Sequence, residues 1–177
     1  MNDFRSVTPD SLSDNVFRLI GNDWLLITAE DPESGKVNTM TASWGCLGIL
    51  WNKPVAVCFI RPQRHTLSFV NASERLSLSV LPEEYRAALR FCGTKSGRDT
   101  DKFKETGLTP AFDGRHTPFI KEARLVLICK KLYVDELKES SFLDAELLKN
   151  YKEKDYHSVF VCEIEEVLEK ISPERTE

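Results

Sequence analysis

Six apolar, β-rich runs recur along the chain, at Trp24–Ala29, Met40–Trp51, Val55–Ile60, Leu76–Leu81, Leu125–Val134 and Ser158–Ile164. Runs of this length and composition predict strands. Val55–Ile60 and Leu125–Cys129 are apolar at successive positions, which predicts strands buried on both faces. In Leu76–Val80, Leu76, Leu78 and Val80 alternate with Ser77 and Ser79, which predicts a strand with one polar face. The longest uncharged stretch, Val37–Asn52, carries Asn, Thr, Ser and Gly. It falls short of the roughly 20 apolar residues of a membrane helix and is expected to be a buried strand pair or turn.

Helical signals are fewer. Pro82-Glu-Glu and Gly93 bracket a short surface helix ending near Cys92, with acids in its first turn and a base in its last. Asp99–Glu105, closed by Gly107, Ser141–Tyr151, with Leu143, Leu147 and Leu148 on one stripe, and Gln63–Asn71 are three more. Strands and helices do not alternate as βαβ units would, so a mostly antiparallel barrel with peripheral helices is predicted. The chain shows no repeat or linker, and 177 residues suit one domain, with 1–12 and 172–177 expected to fray.

Charge narrows the partners. Lys and Arg number 24 against 28 Asp and Glu, a net of −4, which offers no bulk attraction to nucleic acid or an anionic membrane. The five cysteines lie at least 12 positions apart with no C-x-x-C pair, and the three histidines lack metal-ligand spacing. Free thiols and no metal site are expected. The first ten residues contain no basic segment followed by an apolar run, so a reducing cytoplasm is the expected location.

Four segments could carry chemistry. Asn38-Thr-Met-Thr-Ala-Ser-Trp44 is rich in small and polar residues and precedes Gly45 and Gly48. Its hydroxyls and backbone N–H groups suit a planar heteroaromatic ligand, or else satisfy one another along a strand edge. Arg61-Pro-Gln-Arg-His-Thr66 joins a buried strand to a helix start, which makes it either an anion site or a solvated basic turn. Cys92-Gly-Thr-Lys-Ser-Gly-Arg-Asp99 is a second basic loop. It is not a Walker A loop, since Thr94 and Leu89 stand where glycines are required, and Cys92 reads as a small buried residue at a helix end. His157 precedes the last strand, where it would project into a cleft or serve as an ordinary surface histidine.

Together these residues resemble the flavin reductase-like family with the FMN-binding split-barrel fold, nearest its flavoredoxin-type members. The resemblance runs from Asn15–Ile20 and Trp24–Ala29 through Asn38–Trp44, Arg61–Thr66 and Cys92–Lys102 to Tyr156-His157 and Glu163-Ile164. It implies an antiparallel, Greek-key-like split β-barrel and a homodimer holding one FMN per subunit near the interface. Asn38, Thr39, Met40, Thr41, Ala42, Ser43 and Trp44 would run beside the flavin ring and ribityl chain. Arg61, Arg64 and Thr66 match the phosphate side, and Lys95, Ser96, Gly97 and Arg98 the loop that closes over the cofactor. His157 matches the nicotinamide-side histidine, although Asp155-Tyr156-His157 stands where smaller members carry Gly-Asp-His. The implied activity is that of a cytoplasmic oxidoreductase passing electrons from NADH, NADPH or another reduced donor through FMN to an acceptor. A flavoredoxin-like carrier serving a protein partner, and a non-catalytic cofactor-binding module, are the alternatives.

Overall fold

A computed structural model describes residues 3–171; the tail 172–177 lies outside the described residues. Seven strands form one antiparallel path. They are β2 (Leu25–Asp31), β3 (Lys36–Ala42), β4 (Gly45–Leu50), β5 (Lys53–Ile60), β6 (Arg75–Val80), β9 (Leu125–Glu136) and β10 (Ser158–Lys170), in the order β3-β2-β6-β9-β10-β5-β4. Strand β1 (Phe4–Val7) pairs with the far end of β10, and β7 (Pro110–Phe112) with β8 (Pro118–Ile120) forms a separate ribbon. Four short helices accompany them: α1 (Val16–Arg18), α2 (Thr66–Ala72), α3 (Arg86–Thr94) and α4 (Lys102–Thr106).

The two ends of the path, β3 and β4, are consecutive in sequence. Only Ser43 and Trp44 separate them, so Ala42 and Gly45 lie no more than about 11 Å apart. The sheet must therefore curl until its edges nearly meet, without a ladder of hydrogen bonds to close it: a barrel with a seam. This corrects the reading of Met40–Trp51 as one run. The uncharged stretch is two strands that pair not with each other but with β2 and β5, through two local hairpins. The β4–β5 hairpin turns on Trp51 and Asn52, with φ of 53° and 57°, the left-handed pair required by a two-residue turn matched to strand twist.

The core lies on both sides of β6 and β9. Leu125, Leu127 and Cys129 join Leu76, Leu78, Phe160 and Cys162 inside the barrel, while Val126 and Ile128 pack outside against Leu89, Cys92 and Phe119. Leu125–Cys129 is thus buried on both faces as expected, but β5 is not, since Val57 and Phe59 stay half-buried. The polar face of β6 is fully buried. Strand β8 covers it, Ser77 Oγ donating to the Pro118 carbonyl at 2.6 Å and Ser79 Oγ accepting from the Ile120 N–H at 3.2 Å.

Other expectations shift. Residues 3–12 carry strand β1 and a 3₁₀ turn at Pro9–Ser11 rather than fraying, because Phe4 packs edge-to-face on Phe119 and the strand extends the sheet. Ser141–Tyr151 forms only 3₁₀ turns at Glu139–Ser141 and Ala145–Asn150. Its leucine stripe finds no core, with Leu143 fully exposed, and a short helix without tertiary packing is marginal in water. Helix α3 includes Gly93 and buries Ala88, Leu89 and Cys92, so it is half-buried rather than superficial. Helix α4 starts at the Asp101 cap, whose carboxylate accepts from Phe103 N–H at 3.0 Å and Lys104 N–H at 3.2 Å, and ends at Gly107 with φ +71°.

Candidate functional site

A cleft lies beside β3, facing the end of β5 and the start of β10. At one end Met40–Trp44, Phe59, Arg61, Arg64 and His157 line a cavity of about 190 Å³. Met40, Arg61 and Arg64 also line a second cavity of about 460 Å³, completed by Gln63, His65, Thr66, Thr94–Gly97 and Lys102. Sharing those three residues makes the cavities two ends of one cleft, of the size of a small-molecule site.

The larger end is cationic. Arg64 donates to the Gly93 carbonyl, and Lys102, only 4% exposed, donates Nζ–H bonds to the carbonyls of Thr39 at 2.7 Å and Cys92 at 3.0 Å. Neither forms an ion pair with a carboxylate among the described residues. Burial lowers both pKa values, with the Arg61 charge adding to the effect on Arg64 and the Arg64 charge to that on Lys102, which is lowered to about 8. A buried cation without a counter-charge is costly, and an anion at this end would relieve that cost for Lys102. Arg61, by contrast, is already engaged. It binds the Asp155 carboxylate and the Asn150 carbonyl at 2.8 Å, and its guanidinium lies 5.2 Å from the centre of the Tyr151 ring.

The smaller end is aromatic and holds His157 at the threshold of β10. The imidazole sits 5.3 Å from Trp44 and 6.4 Å, edge-on, from Phe59, and its Nδ1 is 2.8 Å from the Tyr151 hydroxyl. Burial, then the charge of Arg61, lowers its pKa to about 4, so the ring is neutral at ordinary pH.

The structure separates the sequence candidates. Met40, Thr41, Ala42, Ser43, Trp44, Arg61, Arg64, Thr66, Lys95, Ser96, Gly97 and His157 all border the cleft. Thr39 does not: its hydroxyl lies 2.9 Å from that of Thr28 and 3.1 Å from the Ile27 carbonyl. Thr41 donates its hydroxyl to the Leu89 carbonyl at 2.6 Å, so for both threonines the hydroxyls are satisfied within the protein. Asn38 is buried behind Gly97 and donates to Thr66 Oγ1 at 3.2 Å. Arg98 borders an adjoining depression and donates to the Gln63 carbonyl at 3.2 Å. Cys92 is fully buried, which pushes its thiol up to about 11 and suits packing, not nucleophilic attack.

Lys102, Phe59 and Tyr151 were not singled out as site residues from the sequence. The bond from Lys102 to the Thr39 carbonyl shows that this carbonyl points away from β2, toward the unpaired edge of β3. Because alternate residues of a strand share a direction, the backbone groups of Thr41 face the seam as well.

Fold and cleft together describe an open antiparallel barrel with a cleft beside its β3 edge that is aromatic at one end and cationic at the other. The family model described as the flavin reductase like domain matches residues 17–175, and the chain belongs to that family. Solved structures with the same fold include a protein with a split barrel domain from Shewanella frigidimarina NCIMB 400, with TM-score 0.67 and 19% identity, covering 95% of this chain and 79% of that one. An FMN-binding protein from Thermus thermophilus matches with TM-score 0.66 and 20% identity, covering 94% and 82%. The flavoredoxin of Desulfovibrio vulgaris (Miyazaki F) matches with TM-score 0.64 and 18% identity, covering 92% and 74%. No curated protein sequence matches the chain.

Proposed function

We propose that the cleft holds FMN and that the protein passes electrons from a reduced donor, NADH or NADPH being the first candidates, through the flavin to an acceptor. The observation that carries this reading is a pair of cations, the buried Lys102 and the half-buried Arg64, without carboxylate partners among the described residues, at the end of a cleft whose other end is aromatic. FMN matches that polarity, with a dianionic phosphate at one end and a planar ring at the other. When bound, the flavin supplies the redox chemistry, and the protein supplies binding, orientation and access.

Arg64, Lys102, Lys95 and Ser96 would hold the phosphate. The outer backbone edge of β3 at Thr41, with Ala42, Ser43 and Trp44, would meet the ring. Met40 spans the junction of the two cavities, and Phe59 and His157 border the face through which a donor or acceptor enters. Gly97 lets the 94–98 loop close on Asn38. All five cysteines are free thiols, in keeping with a reducing cytoplasm, and no helix among the described residues is long and apolar enough to cross a membrane.

Titration of apo-protein with FMN and riboflavin at fixed salt tests this reading. A hydrogen bond to a charged group contributes roughly 1.5–3 kcal/mol, so two such contacts give FMN an expected advantage of about 10²–10⁴-fold. Equal affinity for the two flavins would sink the assignment. Turnover with NADH or NADPH is expected; FMN that a chemical reductant reduces but neither nucleotide does would instead make the protein an electron carrier.

A further inference from the structure

The cleft residue His157 has a partner whose role the cofactor site does not account for. The Tyr151 hydroxyl lies 2.8 Å from His157 Nδ1, has no other hydrogen-bond partner among the described residues, and belongs to a side chain only 7% exposed. The Tyr151 ring is fixed from several sides. Tyr156 stacks on it at 5.0 Å, Phe142 tilts against it at 5.6 Å, and Arg61, held by Asp155, covers it at 5.2 Å. Trp44 and Phe59 then confine the imidazole.

Hydrogen-bond accounting selects the tautomer. A phenol has one proton to donate, and a neutral imidazole has one N–H and one lone-pair nitrogen. If Nδ1–H donated to the phenol oxygen, the phenol proton would be left without an acceptor in a buried place, and a buried unmade donor costs about 1–3 kcal/mol. If the phenol donates to Nδ1, that loss is avoided and the imidazole proton sits on Nε2. Nε2 has no protein partner among the described residues and is not among their sealed polar atoms, so it is open to the cleft that His157 lines. The charged groups acting on the ring are Arg61 and Arg64, which oppose protonation, and Asp155, which favours it more weakly than burial and Arg61 oppose it.

We propose that Tyr151 is a positioning residue, which holds His157 as the neutral Nε2–H tautomer and so presents the cleft with an uncharged hydrogen-bond donor. Such a donor complements a carbonyl or amide oxygen of the entering substrate. It does not supply the positive charge or mobile proton of an imidazolium. The target of the donor rests on the redox reading above; the tautomer itself does not.

Ring nitrogen NMR of the protein, recorded with no electron donor present, tests the tautomer. Nε2 of His157 is expected to carry the proton in the parent protein, and Tyr151→Phe, which keeps the ring packing, is expected to give a mixture of tautomers. An Nδ1–H tautomer in the parent, or an unchanged tautomer in Tyr151→Phe, overturns the proposal. In the FMN-loaded protein, Tyr151→Phe should slow flavin reduction by a competent donor about five- to tenfold, the effect of one lost hydrogen bond. His157→Gln, whose amide N–H can replace Nε2–H, should retain more of the rate than His157→Ala. Should NADH and NADPH both fail to reduce the flavin, the choice of donor fails while the tautomer result still decides the role of Tyr151.

Discussion

Lys102 sits where two demands conflict, because its ammonium is buried yet supplies hydrogen bonds that the Thr39 and Cys92 carbonyls need. Burial lowers its pKa to about 8 from 10.5. Below pH 8 both folded and unfolded chains carry the proton, and the folded state bears the full cost of the buried charge. As pH rises from 8 toward 10.5 the folded protein sheds the proton first, so that cost is relieved and stability should rise across this window. A bound phosphate reverses the preference by favouring the ammonium. FMN affinity is therefore expected to be flat from pH 7 to near 8 and to fall above it by up to about tenfold per unit, while Lys102→Met should bind FMN more weakly with no such slope. Fluorescence titrations across pH check both. Arg64 and Lys95 were legible in the sequence because basic residues clustered in an acidic chain. Lys102 was not, since Asp99-Thr-Asp-Lys-Phe103 reads as the solvated start of a helix and only the fold carries that start beneath a strand edge. The hydroxyls of Thr39 and Thr41 drew notice as ligand groups, yet both are engaged within the protein.

At the level of elements, the loop after α3 meets β3 through one glycine. A Cβ on Gly97 would lie 2.5 Å from Asn38 Oδ1, and Asn38 cannot yield easily because it is buried and bonded to Thr66. Gly97→Ala should lift the 94–98 loop, breaking the Asn38–Thr66 bond or opening the cationic end. Overpacking costs about 1–3 kcal/mol, so FMN affinity is expected to fall about five- to 150-fold. Calorimetric titration would show this, and unchanged affinity would mean the loop does not close on the ligand. The long apolar strands and the Gly107 stop of α4 were readable because burial and helix termination leave local patterns, whereas the start expected at Asp99 falls at the Asp101 cap. Strand β1 was not: Phe4–Val7 gains its pairing from β10, more than 150 residues away. The 141–151 stripe was read as a helix because periodicity records which residues could share a face, not whether a core exists to receive them.

At the scale of the whole molecule, Phe17, Ile49 and Trp44 are 88%, 75% and 50% exposed. They lie beside apolar clefts of about 490 and 630 Å³ between α1 and β4. We propose that these side chains form an interface with a second copy of the chain. Sedimentation of the FMN-loaded protein should give twice the 20.2 kDa of one chain, and Ile49→Arg should shift the mass toward the monomer; a parent mass near 20.2 kDa would exclude the dimer at that concentration. The two-residue step at Ser43–Trp44 also bears on how the molecule forms. The β2–β3 and β4–β5 hairpins it joins are local and close rapidly, yet they end up at opposite edges of the sheet. The strands that must lie between them, β6, β9 and β10, come later in the chain, and pairing β10 with β5 closes a loop of about 100 residues. Such distant pairings are slow. The cleft, which takes one wall from each hairpin and His157 from the threshold of the last strand, is therefore among the final parts of the molecule to assemble, and refolding followed by recovery of FMN binding should lag behind recovery of strand content.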